Sequence, residues 1–345
     1  MPGAIMKTML AASFLPLIVT SAQAEAPKRG GTLQFAVVAE PPNYDCHANT
    51  SFAFVHPVAP HYSTLLKFDG ANYPKLIGDL AKSWSVSPDG LTYTFDLNEG
   101  VTFHDGSPLT SADVKASYER ISNPPAGVVS VRKAWYADIG SIETPSPTQV
   151  VFRLKAPNAS MLVSFASPFD CIYSAAKLAQ NPRYPETEIM GSGAFKFEKY
   201  EKGSYWEGKR YDGYFRKGQP YLDGYKAYFV KSNGVVPGIL GDQFDAEFRG
   251  RNPSERDQLL SKMKDQLTLN EGPWVGSLMI VFNTKRKPFD DKRVRQALRY
   301  ATDTDATLKV AHRGLGKPGD HHHVSPAHPE FANIGGSKRD VAKAK

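Results

Sequence analysis

Asp242, Asp245 and Glu247 are the first residues in this 345-residue chain whose types and spacing could do chemistry. Paired carboxylates can hydrolyse a glycosidic bond, one as acid and the other as base or nucleophile. That pattern raises the expectation of a secreted carboxylate-dependent hydrolase. Spacing this loose specifies little, however, and a solvated turn flanking a strand explains the same residues. A second cluster, His321-His322-His323, has metal-ligand chemistry. Consecutive histidines in a loop rich in Gly, Pro and Asp cannot all face one ion, so adventitious surface binding is expected and no metal site. Cys46 and Cys171 have no CxxC partner spacing, which excludes a zinc knuckle or a redox motif. They read as two small buried hydrophobes, and pair only if the fold brings their Cα atoms within about 7 Å. No GxSxG, HExxH or P-loop occurs. No enzyme and no cofactor is expected.

The amino terminus sets the compartment. Lys7 precedes an apolar run from Met9 to Val19, and the run ends at Ala22-Gln23-Ala24. That order is a cleaved secretory signal peptide over residues 1–24. The run is shorter than the ~20 residues a membrane span needs, and Pro16 interrupts it. No cysteine follows the cleavage box to carry a lipid, so a periplasmic protein is expected. Lys and Arg number 42 against 35 Asp and Glu, for a net charge of +7. The charges are interleaved and no basic block appears, so nucleic acid is not an expected partner.

The elements that must position any site are legible in the patterning. Leu91, Tyr93, Phe95 and Leu97 alternate with Thr92, Thr94, Asp96 and Asn98, a period of two that predicts a half-buried strand. The turn Ser87-Pro88-Asp89-Gly90 precedes it, and a short strand around Val101 and Phe103 leads into a turn at His104-Asp105-Gly106. Thr110 with Asp113 three residues on is an acidic capping box, opening a helix with Val114, Tyr118 and Ile121 on one stripe. Pro124-Pro125 ends it. Further strands are predicted at Gln149 to Lys155 and at Ala194 to Tyr200, with a helix from Ser174 to Gln180. The tract from Tyr200 to Tyr228 holds seven tyrosines with little periodicity and reads as loops and short strands. Leu278 to Phe282 is an apolar run of strand length. The helix after Pro288 carries Val294, Ala297, Leu298 and Ala301 on one face.

Read together, several blocks carry a resemblance. Leu80-Ala81-Lys82-Ser83-Trp84, then Asp89-Gly90-Leu91-Thr92-Tyr93-Thr94-Phe95, then Phe103-His104-Asp105-Gly106-Ser107-Pro108-Leu109-Thr110-Ser111-Ala112-Asp113-Val114, resemble in order the signature of the family 5 extracellular solute-binding proteins. Gly191-Ser192-Gly193-Ala194-Phe195, Pro220-Tyr221-Leu222-Asp223-Gly224 and Pro288-Phe289-Asp290-Asp291-Lys292-Arg293-Val294-Arg295 are similar to later blocks of the same family. These are scaffold residues. The resemblance implies an α/β, periplasmic binding protein-like fold of class II, cluster C, with two α/β lobes and an extra inserted domain. Residues 25–66 and 190–272 would form lobe I, 67–189 the inserted domain II, and 273–345 an incomplete lobe III. Members of the family continue beyond the helix that Asp340 opens, so a truncated product is expected, with that short final helix lacking a partner to hold it.

The resemblance also implies a function. Such proteins are non-catalytic receptors of ABC importers that close around a small peptide or peptide-like solute and deliver it to an inner-membrane permease, here as a monomer. Nickel, opine or oligosaccharide receptors share the scaffold, and fold does not choose among them. The ligand-facing positions map onto Glu40, Tyr44, Phe248, Arg249 and Trp274. Glu40 would receive an ammonium, Arg249 would grip a carboxylate bidentately, and Tyr44 and Trp274 would supply flat apolar area with a polar edge.

Overall fold

The computed structural model describes residues 27–248, 252–272, 279–318, 324, 328, 330–333 and 338–345. Phe35, Ala36 and Val37 are consecutive buried residues, the mark of a strand covered on both faces. They belong to β1 (Thr32–Val37). Phe35 and Val37 point into the main core, while Ala36 points to the other face, against Val235, Val236 and Ile239. β1 runs parallel to β10 (Gly224–Phe229) on one side and to β11 (Ala246–Glu247) on the other. β9 (Tyr205–Arg210) and β8 (Phe195–Glu201) extend the sheet antiparallel, giving the order β11-β1-β10-β9-β8. Parallel neighbours need a crossover, and here a helix, α5 (Ser232–Leu240), carries the chain from β10 to β11. Another helix, α6 (Pro253–Met263), packs beside α5 and opens on a capping box at Asn252 and Glu255.

A second sheet is wholly antiparallel. β4 (Ala81–Val86), β5 (Thr92–Leu97), β7 (Gln149–Leu154) and β6 (Ile139–Ser146) lie in that spatial order, and a small ladder joins β2 (Leu66–Phe68) to β3 (Leu76–Gly78). The alternation read in β5 is realised, with Tyr93, Phe95 and Leu97 buried. Helix α2 (Ser111–Ser122) has the expected box, in which the Thr110 N–H donates to the Asp113 carboxylate at 2.7 Å. Its stripe of Val114, Tyr118 and Ile121 is buried, with Tyr118 edge-on to Phe152 and Phe165. Short helices α1 (Phe52–Val58), α3 (Met161–Ser164) and α4 (Ala175–Gln180) complete this part. One buried cluster runs from Phe35 and Trp206 in the first sheet to Phe95 and Phe152 in the second.

The Gly-Ser-Gly block lets the segment before β8 lie directly against the segment that follows α1. A Cβ on Gly191 would lie 2.1 Å from the His61 carbonyl oxygen, and one on Gly193 would lie 2.4 Å from that of Pro60. Glycine is required at both positions by approach of another backbone.

Several expectations are corrected. The strand around Val101 and Phe103 reduces to a single bridge between Thr102 and Pro108, because the turn at 104–106 leaves no room for a longer ladder. The tyrosine tract contains two full inner strands, β9 and β10. Gly208, a residue usually depleted in strands, sits mid-strand in β9 because the Tyr225 ring lies over it, where a Cβ would come within 2.3 Å. The apolar run at 279–282 pairs with no strand among the described residues, and Ile280 and Val281 are each 81% exposed. The helix after Pro288 forms as α7 (Lys292–Ala301), followed by α8 (Thr304–His312) and α9 (Val341–Ala344). The last helix does have a partner: it packs on α7, and the Asp340 N–H donates to the Tyr300 carbonyl at 2.8 Å.

The cysteines are the largest correction. Cys46 and Cys171 form a disulfide with Cα atoms 6.0 Å apart across 125 residues of sequence. The residue before each is a buried aspartate. Asp45 is clamped by Arg120 at 2.6 Å and Asp170 by Arg132 at 3.0 Å, all four side chains being buried. Arg132 also donates to the Cys46 carbonyl. Sequence separation gives no hint of this proximity, which is made by the packing of α2 and the 165–173 segment on the loop after β1.

Candidate functional site

In open α/β sheets the crevice beyond the carboxyl ends of parallel strands is where ligands gather. Here β1 and β11 end side by side, with Ala36 opposite Glu247. Phe248 leaves β11 at that edge and is 54% exposed, yet its ring is rooted 5.1 Å from Phe35 of the core. His56 stands edge-on to Phe248 at 5.9 Å, and Phe52, 47% exposed, lies 5.4 Å from His56. Both come from α1. Ala53, Phe54, Pro57 and Val58 bury one side of that helix and turn Phe52 and His56, one helical turn apart, outward. Sequence reasoning selected Phe248 and did not single out these two neighbours. The aromatic pair at i and i+4 behind the Ser51 cap was the available signal, obscured by Pro57 inside so short a helix.

The other positions fall elsewhere. The Glu40 carboxylate accepts the Gly203 N–H at the β8–β9 turn and lies beside Tyr200. Tyr44 sets its ring edge-on to Trp206 at 5.1 Å and to Tyr200 at 6.1 Å, and burial raises the pKa of its phenol. These two fasten the loop after β1 to the sheet. Arg249 and Trp274 lie outside the described residues, as does the run His321-His322-His323.

A chain of rings links the two groups: Phe248 to Phe35, Phe35 to Tyr225, Tyr225 to His61, His61 to Trp206, and Trp206 to Tyr44. His61 sits at its centre, fully buried. Its Nε2 accepts the Trp206 Nε1–H at 2.8 Å, so Nδ1 carries the proton and donates to the Phe195 carbonyl at 2.8 Å. Burial pushes its pKa down to about 3. His47, beside the disulfide, is likewise neutral, with its pKa lowered by burial to about 3. Its Nδ1 accepts from Arg120 and its Nε2 donates to the Cys171 carbonyl.

The carboxylate trio is dispersed in role. Asp245 accepts the Gln34 N–H at 2.7 Å and ties β11 to β1, while Asp242 occupies a left-handed turn at φ 57°. A cavity of about 560 Å³ opens at the amino end of β1, but its arginines are engaged. Arg210 pairs with Asp212 and Asp223, and Arg29 donates to the Gly218 carbonyl. Among the described residues no group of three His, Cys, Asp or Glu side chains could hold a metal ion.

A mixed sheet with a ring-lined edge at the ends of its parallel strands, joined to an antiparallel unit, is the architecture of periplasmic binding proteins. The chain belongs to the bacterial extracellular solute-binding proteins, family 5, whose middle-region model matches residues 75–345. A glutathione-binding protein, GsiB, of Pectobacterium atrosepticum is 34% identical over 259 residues, covering 75% of this chain and 49% of that protein. The chain thus spans about half the length of the curated relatives it matches. Among solved structures, the binding protein AgaA of Agrobacterium tumefaciens in complex with agropinic acid superposes with a TM-score of 0.79 at 31% identity, covering 91% of this chain and 63% of that one. DppA of Helicobacter pylori, bound to the peptide STSA, gives 0.77 at 26% identity, with 92% and 65% covered.

Proposed function

We propose that this protein is the solute receptor of an ABC importer, binding a peptide or peptide-like solute at the ring-lined edge where β1 and β11 end, and handing it to a membrane permease. The observation that carries the reading is the exposure of Phe248 and Phe52 at that edge, rooted in the core through Phe35. Of the positions that the family resemblance assigns to the ligand, Phe248 lies at this edge. Relatives whose names specify glutathione and a peptide complex support the solute class. In this reading residues 25–66 and 190–272 form one lobe, 67–189 an inserted domain and 273–345 the start of a third. Closure is a hinge motion. The protein is exported through a cleaved leader and acts as a monomer without catalysing a reaction.

An opine is the second reading, favoured by the 31% identity to the agropinic-acid complex. A thermal-shift screen with glutathione, di- and tripeptides, opines, oligosaccharides and nickel separates these readings. A raised melting temperature with peptide-like solutes, each recovered intact, is expected. A shift with an opine alone would move the solute class, and conversion of any solute to product would overturn the receptor.

A further inference from the structure

The cavity of about 560 Å³ at the amino end of β1 is lined by Arg29, Arg210, Asp212, Gln219 and Asp223, together with two glycines and a proline. It lies at the opposite end of β1 from the ring-lined edge, six residues or roughly 20 Å away. Its guanidinium groups are held in place by the fold without being used up. Arg29 gives one Nη2–H to the Gly218 carbonyl at 2.7 Å and lies 5.8 Å from the centre of the Tyr221 ring, which leaves Nε and Nη1 without a partner among the described residues. Arg210 meets Asp212 through Nε at 3.1 Å and Asp223 through Nη1 at 2.9 Å, which leaves Nη2 in the same position. Asp223 is spent on both oxygens, since its second accepts the Gly31 N–H at 3.0 Å. Asp212 keeps one oxygen unspent, and its side chain is 91% exposed. We propose that this cavity is a second binding site, for a small zwitterion of amino-acid type. The guest's carboxylate takes the unspent N–H groups of Arg29 and Arg210, and its ammonium takes the remaining oxygen of Asp212.

Charge selects this class of guest. The two guanidinium groups and two carboxylates of the lining cancel, so a guest of one sign always meets an opposing pair: a phosphate faces both aspartates, and a bare amine faces both arginines. A molecule carrying both signs satisfies both. The planar N–H edge of a guanidinium matches a carboxylate in geometry as well as charge, and the volume falls within the ~300–1,000 Å³ of small-molecule sites. The groups are also set before a guest arrives. Gly218, at φ 81°, turns its carbonyl onto Arg29 with a backbone that other residues rarely adopt, and a Cβ there would lie 3.3 Å from the same Nη2. Side chains already held in this way lose little freedom on binding.

The test is isothermal titration calorimetry of the intact protein with L-alanine as the probe, beside acetate, methylamine and inorganic phosphate. L-Alanine is expected to bind at least about tenfold tighter than acetate or methylamine alone. Arg29→Met and Asp212→Asn alter exposed side chains, and each should weaken alanine binding at least about tenfold while melting temperature and circular dichroism stay unchanged. Four results would overturn the inference: no binding of alanine, binding unchanged in both variants, acetate as tight as alanine, or phosphate tighter than alanine. Loss of alanine binding in Phe248→Ala would overturn it too, because the amino acid would then sit at the solute edge. None of these results bears on the receptor reading, which the thermal screen tests with other ligands.

Discussion

The indole N–H of Trp206 donates to Nε2 of His61 at 2.8 Å, which fixes a buried histidine as neutral against β9. His61 and His47 both have folded pKa values lowered to about 3, and His104, mostly buried, is lowered to about 4, burial being the first cause in each. In the unfolded chain each titrates near about 6.5. Between those values the unfolded state binds protons that the folded state does not, so unfolding free energy falls as pH falls. Stability is expected to be full above pH ~6.5 and to decline towards about pH 3, the folded value of His61 and His47, each histidine contributing a slope of up to about 1.4 kcal/mol per pH unit. Urea melts at pH 7.5, 6 and 5 test this, and a flat midpoint across that range would count against buried neutral histidines.

The disulfide is expected to stabilise chiefly by closing a long loop in the unfolded chain. With its ends 125 positions apart in the sequence, replacing both cysteines by serine should cost about 3–5 kcal/mol. Equilibrium unfolding of the double variant, compared with the oxidised protein, reads the loss. Equal midpoints would indicate that the cysteines do not pair in solution.

Asp45 and Arg120 form a buried pair, in which two guanidinium nitrogens reach the two carboxylate oxygens at 3.1 and 2.6 Å. Arg120→Met leaves Asp45 and His47 without that partner and is expected to destabilise by about 3–5 kcal/mol. Arg153→Met, which breaks an exposed pair with Glu143, should leave the midpoint unchanged. Denaturation of the two variants side by side checks the contrast.

Gly191→Ala tests the seam. The added methyl would meet the His61 carbonyl at 2.1 Å, and backbone cannot yield as a side-chain end can. A loss of roughly 1–3 kcal/mol is expected. Gly100→Ala meets no atom within 4 Å but has φ 70°, so it carries only the cost of a left-handed backbone, about 1–2 kcal/mol. A melting temperature unchanged by Gly191→Ala would mean that the two segments are not in contact.

Local signals carried far in this sequence. The Thr92–Leu97 alternation, the Thr110 and Asp113 box and the scaffold blocks each determine structure within a few residues, and each appears where the pattern puts it. What the sequence concealed depends on contacts between distant segments. Gly208 sits in an inner strand because the Tyr225 ring lies across it, and glycine weakens the strand pattern at that very point. Cys46 meets Cys171, and Asp45 meets Arg120, only through the packing of segments far apart in the sequence. At the proposed edge, Phe248 was selected through the family resemblance, whereas the neighbouring Phe52 and His56 required α1 to be oriented. Glu40 and Tyr44 had plausible chemistry, but their contacts in the fold are with Gly203, Tyr200 and Trp206.

The most direct test of the account is calorimetric titration of the intact protein and of Phe248→Ala with the tightest peptide-like solute from the thermal screen. The account predicts one solute per chain, recovered unchanged, and an affinity at least about tenfold weaker in the variant, equivalent to 1.4 kcal/mol. Equal affinity in the two proteins, or appearance of a cleaved product, would contradict it.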